Sequence, residues 1–202
     1  MTAAHTSEVL VRLRGSLDDW LGFMRQVGEL DRLLSLPVSE QQHRGYFHTL
    51  REICQQPLTW LETGTAAIAS LPVLRSTLSR VAGDGVSGSI VLTGSGSSVY
   101  AGECLAPFLQ SALRVPASAV PAGEVLTHPH GSLPPRGPFL LVSLARSGNS
   151  PESCGVLDSV REVSTGGHHL VITCNRQGRL ATSYAGDPRV FTLVLGDATC
   201  DR

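Results

Sequence analysis

Three features of the sequence predict an α/β fold. In this fold helices cover both faces of a parallel sheet, and a helical lead stands at the N-terminus. The second half of the chain alternates short apolar runs with helical patterns. The apolar runs are continuous, which is typical of parallel strands that are buried on both faces. The first 86 residues instead repeat leucine at helical spacing, and a turn cluster, AGDGVSG at 82–88, separates the two parts.

The helical lead has two spacings that resemble capping boxes, at 16–19 and at 39–42, and each predicts the start of a helix. We expect Pro57 to stand in the first turn of a further helix, where its missing N–H costs nothing. Trp20 and Trp60 fall on apolar helical faces, so both are predicted to pack in a core.

Beyond the turn cluster the predicted elements alternate in type. The predicted strands are 89–94, 115–120, 139–144, 168–174 and 190–195. The predicted helices are 97–112, 150–163 and 178–184, and the segment 121–138 is predicted as a loop with one short helical turn. Ligands of such sheets bind outside the carboxyl ends of the strands, so the loops that follow the strands are where we expect the chemistry.

Composition and charge exclude several classes of function. The chain has 202 residues and a net charge of −1, which argues against broad attraction to nucleic acid or to an anionic membrane. No apolar run approaches the roughly 18 residues of a membrane span, and we expect no signal peptide. All 16 cationic side chains are Arg, and the absence of Lys excludes a Schiff-base lysine and a Walker A loop.

The five cysteines are scattered, with no CxxC pair. They stand at positions 54, 104, 154, 174 and 200. This pattern fits reduced thiols in the cytoplasm better than a disulfide framework or a structural zinc site.

Two loops that follow predicted strands share one design. GSGSS at 94–98 and ARSGNS at 145–150 each combine glycine, hydroxyl groups and a helix start directly behind. A helix start presents unpaired N–H groups and about half a positive charge, which suits a phosphate. Ser and Gly at one helix start are common for capping alone, but their occurrence on two strong strands favours an anion site. The third glycine position of a dinucleotide fingerprint is occupied by Val99, which argues against a Rossmann site.

Three segments in order resemble the sugar isomerase (SIS) domain: VLTGSGSSVYAGE, LLVSLARSGNSPES and HHLVITCNRQGRLA. ARSGNSPES and the upstream REICQQPLTW resemble the tagatose-6-phosphate ketose/aldose isomerases, which are also described as galactosamine-6-phosphate deaminases. The resemblance implies a flavodoxin-like SIS domain at 51–202 after a helical extension at 1–50. It further implies that the second SIS domain of the double-domain enzymes is absent from this chain.

The resemblance also implies which residues bind phosphate. Ser97, Ser98, Ser147 and Ser150 match the family's phosphate-binding hydroxyls, and their loops add Gly96, Arg146, Gly148 and Asn149. General SIS domains often carry serine and glutamine where this chain has Ala145 and Arg146, so one hydroxyl is lost and one positive charge gained. No cofactor and no metal is expected.

Isomerisation by the family moves a proton between C1 and C2 of an opened sugar phosphate, and in the deaminase variant ammonia leaves C2. Such chemistry needs a carboxylate or histidine base. No residue matches the family's base, which lies in the second half of related isomerases. Glu124, His128 and Glu152 are weak candidates, each of which also has an ordinary structural explanation as a polar loop residue or a helix-start charge.

Other functions remain open at this point. A sugar-phosphate sensor with one SIS domain would carry a DNA-binding segment, but residues 1–50 hold five arginines against six carboxylates. An isomerase that completes its site by dimerisation and a truncated, inactive chain are further alternatives. We expect a homodimer or a higher homo-oligomer.

Overall fold

The computed structural model describes residues 16–26, 28–83, 85–164, 166–196 and 199. The chain divides into two compact units, one ending at Thr65 and the other beginning at Ala66. The leucines of the N-terminal pattern before residue 16 lie outside the described residues.

The first unit is helical. Its helices are α1 (Leu17–Met24), α2 (Glu29–Leu34), α3 (Val38–His43) and the first part of α4 (Phe47–Ala69), which continues into the second unit. The predicted capping box at the start of α1 is confirmed, because Ser16 Oγ accepts from Asp19 N and the Asp19 carboxylate accepts from Ser16 N, each at 3.2 Å. Trp20 is buried as predicted, and its Nε1 donates to Cys54 O. The adjoining apolar cluster comprises Leu21, Leu34, Leu50 and Cys54.

Three expectations for this region are wrong. The second capping box does not form, because α3 begins at Val38 with Pro37 at its N-cap. Pro57 lies inside the 23-residue helix α4. Proline has no N–H to donate to the carbonyl of Ile53, four residues earlier, and the helix continues without that hydrogen bond. Trp60 is 68% exposed. The prediction is wrong because a helical period identifies an apolar face of a helix but not what covers that face.

The second unit is built on a parallel sheet. Its strands are β1 (Ser89–Gly94), β2 (Ala117–Pro121), β3 (Phe139–Ala145), β4 (Gly167–Thr173) and β5 (Val190–Val194), in the order β2-β1-β3-β4-β5. Its helices after α4 are α5 (Leu71–Ala82), α6 (Ser97–Leu113), α7 (Ala122–Thr127), α8 (Pro129–Ser132), α9 (Pro151–Val163) and α10 (Arg179–Thr182). The predicted fold class is confirmed. The segment 121–138 holds two short helices where one turn was expected.

The helices cover both faces of the sheet. Alternate strand residues such as Val91, Leu141 and Val171 pack with α7, α9 and α10 in one apolar cluster. Their neighbours, such as Leu92 and Leu140, pack with α5 and α6 in a second cluster on the other face. Full burial of each such side chain contributes about 1.5–3 kcal/mol, so these two clusters are the main source of stability in this unit.

The strand order places a reversal between β1 and β3. From β1 the chain passes through α6 on one face to β2, and then through α7 and α8 on the other face to β3, on the opposite side of β1. Parallel sheets of this order open a crevice at such a reversal, outside the carboxyl ends of the two strands. No helix among the described residues is long and apolar enough to cross a membrane.

His169 is a buried histidine on β4. It is 1% exposed, and neither of its ring nitrogens has a hydrogen-bond partner among the described residues. Burial, the largest cause, lowers the pKa of His169 together with Arg189, Arg161 and His168, against an opposing effect of Asp187, and the resulting pKa is about 4. The imidazole is therefore neutral in the folded protein at pH 7.

This histidine makes the protein sensitive to acid. Because the folded-state pKa lies below the unfolded value of 6.5, the unfolded chain takes up the proton first as the pH falls. We expect the free energy of unfolding to decrease by roughly 3 kcal/mol between pH 6.5 and pH 4 from this group alone. Urea unfolding at a series of pH values measures the decrease.

The variant His169→Leu removes the titrating group and keeps an apolar side chain of similar size. It should lose this part of the pH dependence, and His43→Gln, which changes an exposed histidine of α3, should keep it. An unchanged acid slope in His169→Leu would contradict the assignment.

Candidate functional site

The two glycine–serine loops predicted from the sequence lie side by side at one edge of the sheet. One joins β1 to α6, and the other joins β3 to α9. β1 and β3 are neighbouring parallel strands, and Gly94 at the end of β1 is aligned with Leu144 of β3. Both loops therefore start from the same level of the sheet, at the reversal of strand order.

Gly94 permits a close approach at this point. A Cβ atom on Gly94 would lie 2.6 Å from Ser98 Cβ and 2.9 Å from Leu144 O. Only glycine leaves room for the first turn of α6 to pack against the end of β1 and for β3 to pass beside it.

The start of α6 has no side-chain cap. Gly96 is the N-cap residue with φ 59°, and no side chain bonds to the first turn. The N–H groups of Gly96 and Ser97 donate to no other group within the described part of the chain. Ser97 is exposed and Ser98 is half-buried. This 17-residue helix therefore directs unpaired N–H groups and the positive end of its dipole into the crevice.

The loop after β3 is held by the segment 173–180, which is the last residue of β4 together with the turn that follows it. Its three successive carbonyl oxygens accept hydrogen bonds from that segment: Arg146 O from Cys174 N (3.2 Å) and Thr173 Oγ1 (3.2 Å), Ser147 O from Asn175 Nδ2 (2.9 Å), and Gly148 O from Leu180 N (3.0 Å). A trans peptide directs its N–H opposite to its C=O. The N–H groups of residues 147, 148 and 149 consequently point away from β4, towards the side on which β1 lies.

These N–H groups form a concave set of donors. Among the described residues, the N–H groups of Ser147 and Gly148 donate to no other group, and Asn149 N lies 3.3 Å from Ser147 Oγ. Gly148 has φ 62°, in the left-handed region, whereas φ is negative at its neighbours Ser147 and Asn149. We refer to these three N–H groups as the nest, by analogy with turns whose successive N–H groups bind anions.

Some of the predicted phosphate ligands already have intramolecular partners. Ser150 Oγ caps α9 by accepting from Ser153 N, and it donates to Ser153 Oγ at 2.7 Å. Asn149 Oδ1 accepts from Arg179 N at 2.9 Å. Arg146 is exposed beside the loop. The structure thus brings the eight predicted residues into two adjacent loops, and their role as ligands stays a prediction.

The three weak candidates for a base are exposed side chains that follow strand ends. Glu124 lies in the first turn of α7, just after the carboxyl end of β2. His128 ends the same helix, with Nδ1 3.0 Å from Thr127 Oγ1. Glu152 lies in the first turn of α9. Their roles remain predictions, and the described residues contain no group of three metal-ligating side chains.

A cavity of about 480 Å³ lies at the opposite edge of the sheet, where β1 and β2 begin. Its lining includes Ser89, Ser118 and Arg136. Its lining also includes Ser87 and Gly88, but this segment precedes a strand, and no long helix begins at the cavity. The unpaired N–H groups therefore make the crevice at the carboxyl edge the stronger candidate site.

Sequence reasoning missed the contribution of the segment after β4. Thr173, Asn175 and Gly178 contact the 146–148 loop, and a Cβ atom on Gly178 would lie 2.6 Å from Ser147 O. The letters TCNRQG indicated a turn after a strand. The sequence carried no signal that this turn would lie against a loop 28 residues earlier.

The chain is a flavodoxin-like α/β protein with a serine–glycine loop on each side of the reversal in strand order. No protein-family model matches the chain. A Streptomyces coelicolor protein provisionally assigned as the D-galactosamine-6-phosphate deaminase AgaS is 41% identical over 168 residues, 83% of this chain and 42% of that protein. The D-galactosamine-6-phosphate deaminase AgaS of Shewanella sp. strain ANA-3 is 34% identical over 85% of this chain and 45% of its own length.

Solved structures agree with these relatives. The crystal structure of tagatose-6-phosphate ketose/aldose isomerase from Escherichia coli has a TM-score of 0.70 at 34% identity, over 76% of this chain and 41% of that one. A Clostridium novyi structure assigned to the same activity has a TM-score of 0.76 at 32% identity, over 84% of this chain and 43% of that one. The chain belongs to the SIS family, and its relatives are the AgaS deaminases and the tagatose-6-phosphate isomerases. It spans less than half of their length.

The close approach at Gly94 can be tested by adding one methyl group. Gly94→Ala should lower the free energy of unfolding by about 1–3 kcal/mol, because the new Cβ atom overlaps Ser98 and a backbone oxygen. Gly123→Ala is the matched control, since nothing lies within 4 Å of its added Cβ and the residue is in α7. The control should be neutral or stabilising by up to about 1 kcal/mol.

Denaturant midpoints of the two variants give the comparison. Equal midpoints for Gly94→Ala and the wild type would show that the two loops are not packed as described.

Proposed function

We propose that this chain binds the phosphate of a phosphorylated amino sugar or ketose in the crevice between the two loops. In this proposal it is the phosphate-binding part of an aldose–ketose isomerase or deaminase that acts on galactosamine 6-phosphate or tagatose 6-phosphate. One observation carries the proposal. Three successive carbonyl groups after β3 are turned towards β4, which directs their N–H groups to the side of the uncapped start of α6.

The charge of a phosphate monoester matches these donors. The nest supplies the N–H groups of Ser147 and Gly148, and α6 supplies those of Gly96 and Ser97, with its dipole behind them. Arg146 adds a permanent positive charge. Hydrogen bonds to a charged group contribute about 1.5–3 kcal/mol each, so three or four of them hold a phosphosugar firmly.

In the proposed complex, side-chain hydroxyls complete the coordination of the phosphate. The proposed ligands are Gly96, Ser97, Ser98, Arg146, Ser147, Gly148, Asn149 and Ser150. Ser97 and Ser98 stand in the first turn of α6, so their hydroxyls lie beside the unpaired N–H groups. Ser150 is bonded to Ser153 at present, and its hydroxyl would have to exchange that partner for the phosphate.

The proposed reaction begins from the opened aldose. A base removes the C2 proton while a proton is added to O1, which gives the enolamine, and the enolamine is then protonated at C1. Water then adds to the resulting imine at C2 and ammonia leaves, which converts a 2-amino aldose into a ketose. Glu124, His128 and Glu152 are the proposed sources of the base, and no cofactor takes part in this proton transfer.

A second candidate function is phosphosugar binding without turnover. It is favoured by one observation, which is that the unpaired donors at the crevice are backbone N–H groups, which bind an anion without a titrating side chain. Both functions are proposed for a cytoplasmic homo-oligomer, in agreement with the scattered cysteines.

The test of the site removes two hydroxyls together. Ser98→Ala/Ser147→Ala should weaken the binding of galactosamine 6-phosphate by about 100-fold or more, since two charge-assisted hydrogen bonds are lost. Isothermal titration calorimetry measures the affinity, and galactosamine without phosphate is the ligand control. The free energy of unfolding should stay within about 1–2 kcal/mol of the wild type.

Ser111→Ala/Ser118→Ala is the matched protein control, because both serines are exposed and lie outside the two loops. It should bind like the wild type. Unchanged affinity in the Ser98/Ser147 variant, or no phosphate-dependent binding by the wild type, would contradict the proposal. Release of ammonia from galactosamine 6-phosphate, followed in a coupled assay, then separates the enzyme from the binding protein.

A further inference from the structure

We infer that Thr173 and Asn175 are positioning residues, which hold the 146–148 loop in the one orientation that can bind an anion. The inference rests on the proposed function. It assigns a role to the segment after β4 that neither the sequence motifs nor the relatives' names indicate.

The two side chains bond to successive carbonyl groups of the loop. Thr173 is 1% exposed, and its Oγ1 donates to Arg146 O while accepting from Asn175 N, both at 3.2 Å. Asn175 Nδ2 donates to Ser147 O at 2.9 Å, and its Oδ1 accepts from Gln177 N at 3.0 Å. Each side chain is therefore fixed at one end within its own turn and reaches the loop with the other.

The loop needs such a restraint because of Gly148. Gly148 has φ 62°. At such a position glycine changes readily between two turn types, which differ by a rotation of about 180° of the peptide plane that joins Ser147 to Gly148. That rotation would exchange the directions of Ser147 C=O and Gly148 N–H. A carbonyl oxygen would then face the crevice, where it repels an anion. The hydrogen bond from Asn175 holds the Ser147 carbonyl on the far side.

The close fit between loop and turn supports this role. A Cβ atom on Gly148 would lie 3.1 Å from Thr173 Oγ1, so the two segments are in direct contact. The side-chain hydrogen bonds of Thr173 and Asn175 all end on the loop or within residues 173–177. Their loss would thus free the loop while the pairing of β3 with β4 and the packing of the sheet remain.

The test compares three threonine substitutions. Thr173→Val keeps the shape and removes the hydroxyl, and it should weaken galactosamine 6-phosphate binding by about tenfold or more, the loss expected for one misdirected donor. Thr173→Ser keeps the hydroxyl and should bind within about threefold of the wild type, well below that tenfold loss. Thr59→Val is the matched control, because Thr59 is also buried and its Oγ1 donates to a backbone carbonyl, Gln56 O, in α4.

A spectroscopic readout separates positioning from stability. In the wild type, titration with inorganic phosphate should shift the Ser147 amide resonance strongly downfield in ¹H–¹⁵N spectra, because Thr173 Oγ1 holds the carbonyl of the same peptide group. In Thr173→Val the shift should be small at the same saturation, while Thr59→Val should behave like the wild type. The unfolding midpoints of the three variants are measured alongside.

Asn175→Ala is the second variant, and it is decisive if Thr173→Val fails to fold. It removes the donor to Ser147 O in a half-buried turn, and it should also lose about tenfold in affinity. Wild-type affinity in Thr173→Val or Asn175→Ala would overturn the inference, as would equal losses in Thr173→Val and Thr173→Ser. Absence of phosphate-dependent binding in the wild type itself would instead overturn the proposed function.

Discussion

The parallel pairing of β1 with β3 is the constraint on which the rest of the second unit depends. It aligns Gly94 with Leu144, so that two loops distant in sequence start from the same level at the reversal of strand order. The helices behind them lie on opposite faces of the sheet, so their first turns flank the crevice from two sides. Without this pairing each loop would be an ordinary helix start.

A second constraint acts on the direction of single peptide groups. Sheet pairing positions the loop after β3, but it does not fix which side of the loop carries donors and which carries acceptors. That choice is made by the hydrogen bonds from the segment after β4 to Arg146 O, Ser147 O and Gly148 O. Three neighbouring strands therefore contribute to one crevice: β1 through a helix start, β3 through a nest, and β4 through the restraint on that nest.

The distribution of polar groups also separates binding from catalysis. The proposed phosphate donors are concentrated in two short loops and consist largely of backbone N–H groups, which need no titrating side chain. Glu124, His128 and Glu152 are by contrast exposed, and within the described part of the chain their side chains make one polar contact, from His128 Nδ1 to Thr127 Oγ1. Phosphate binding therefore depends on the backbone of the two loops, whereas proton transfer depends on side chains. More than half of each relative's length lies beyond the part that matches this chain.

The sequence by itself determined the parallel α/β class, all five strands and the two glycine–serine loops, because continuous apolar runs and loop chemistry are local properties of the chain. It also predicted the capping box at Ser16. It could not determine that Trp60 is exposed, since periodicity does not identify what covers a face. Only the tertiary structure decided the role of Thr173 and Asn175, because their partners are 27 and 28 residues away and the direction of a peptide group leaves no trace in residue type.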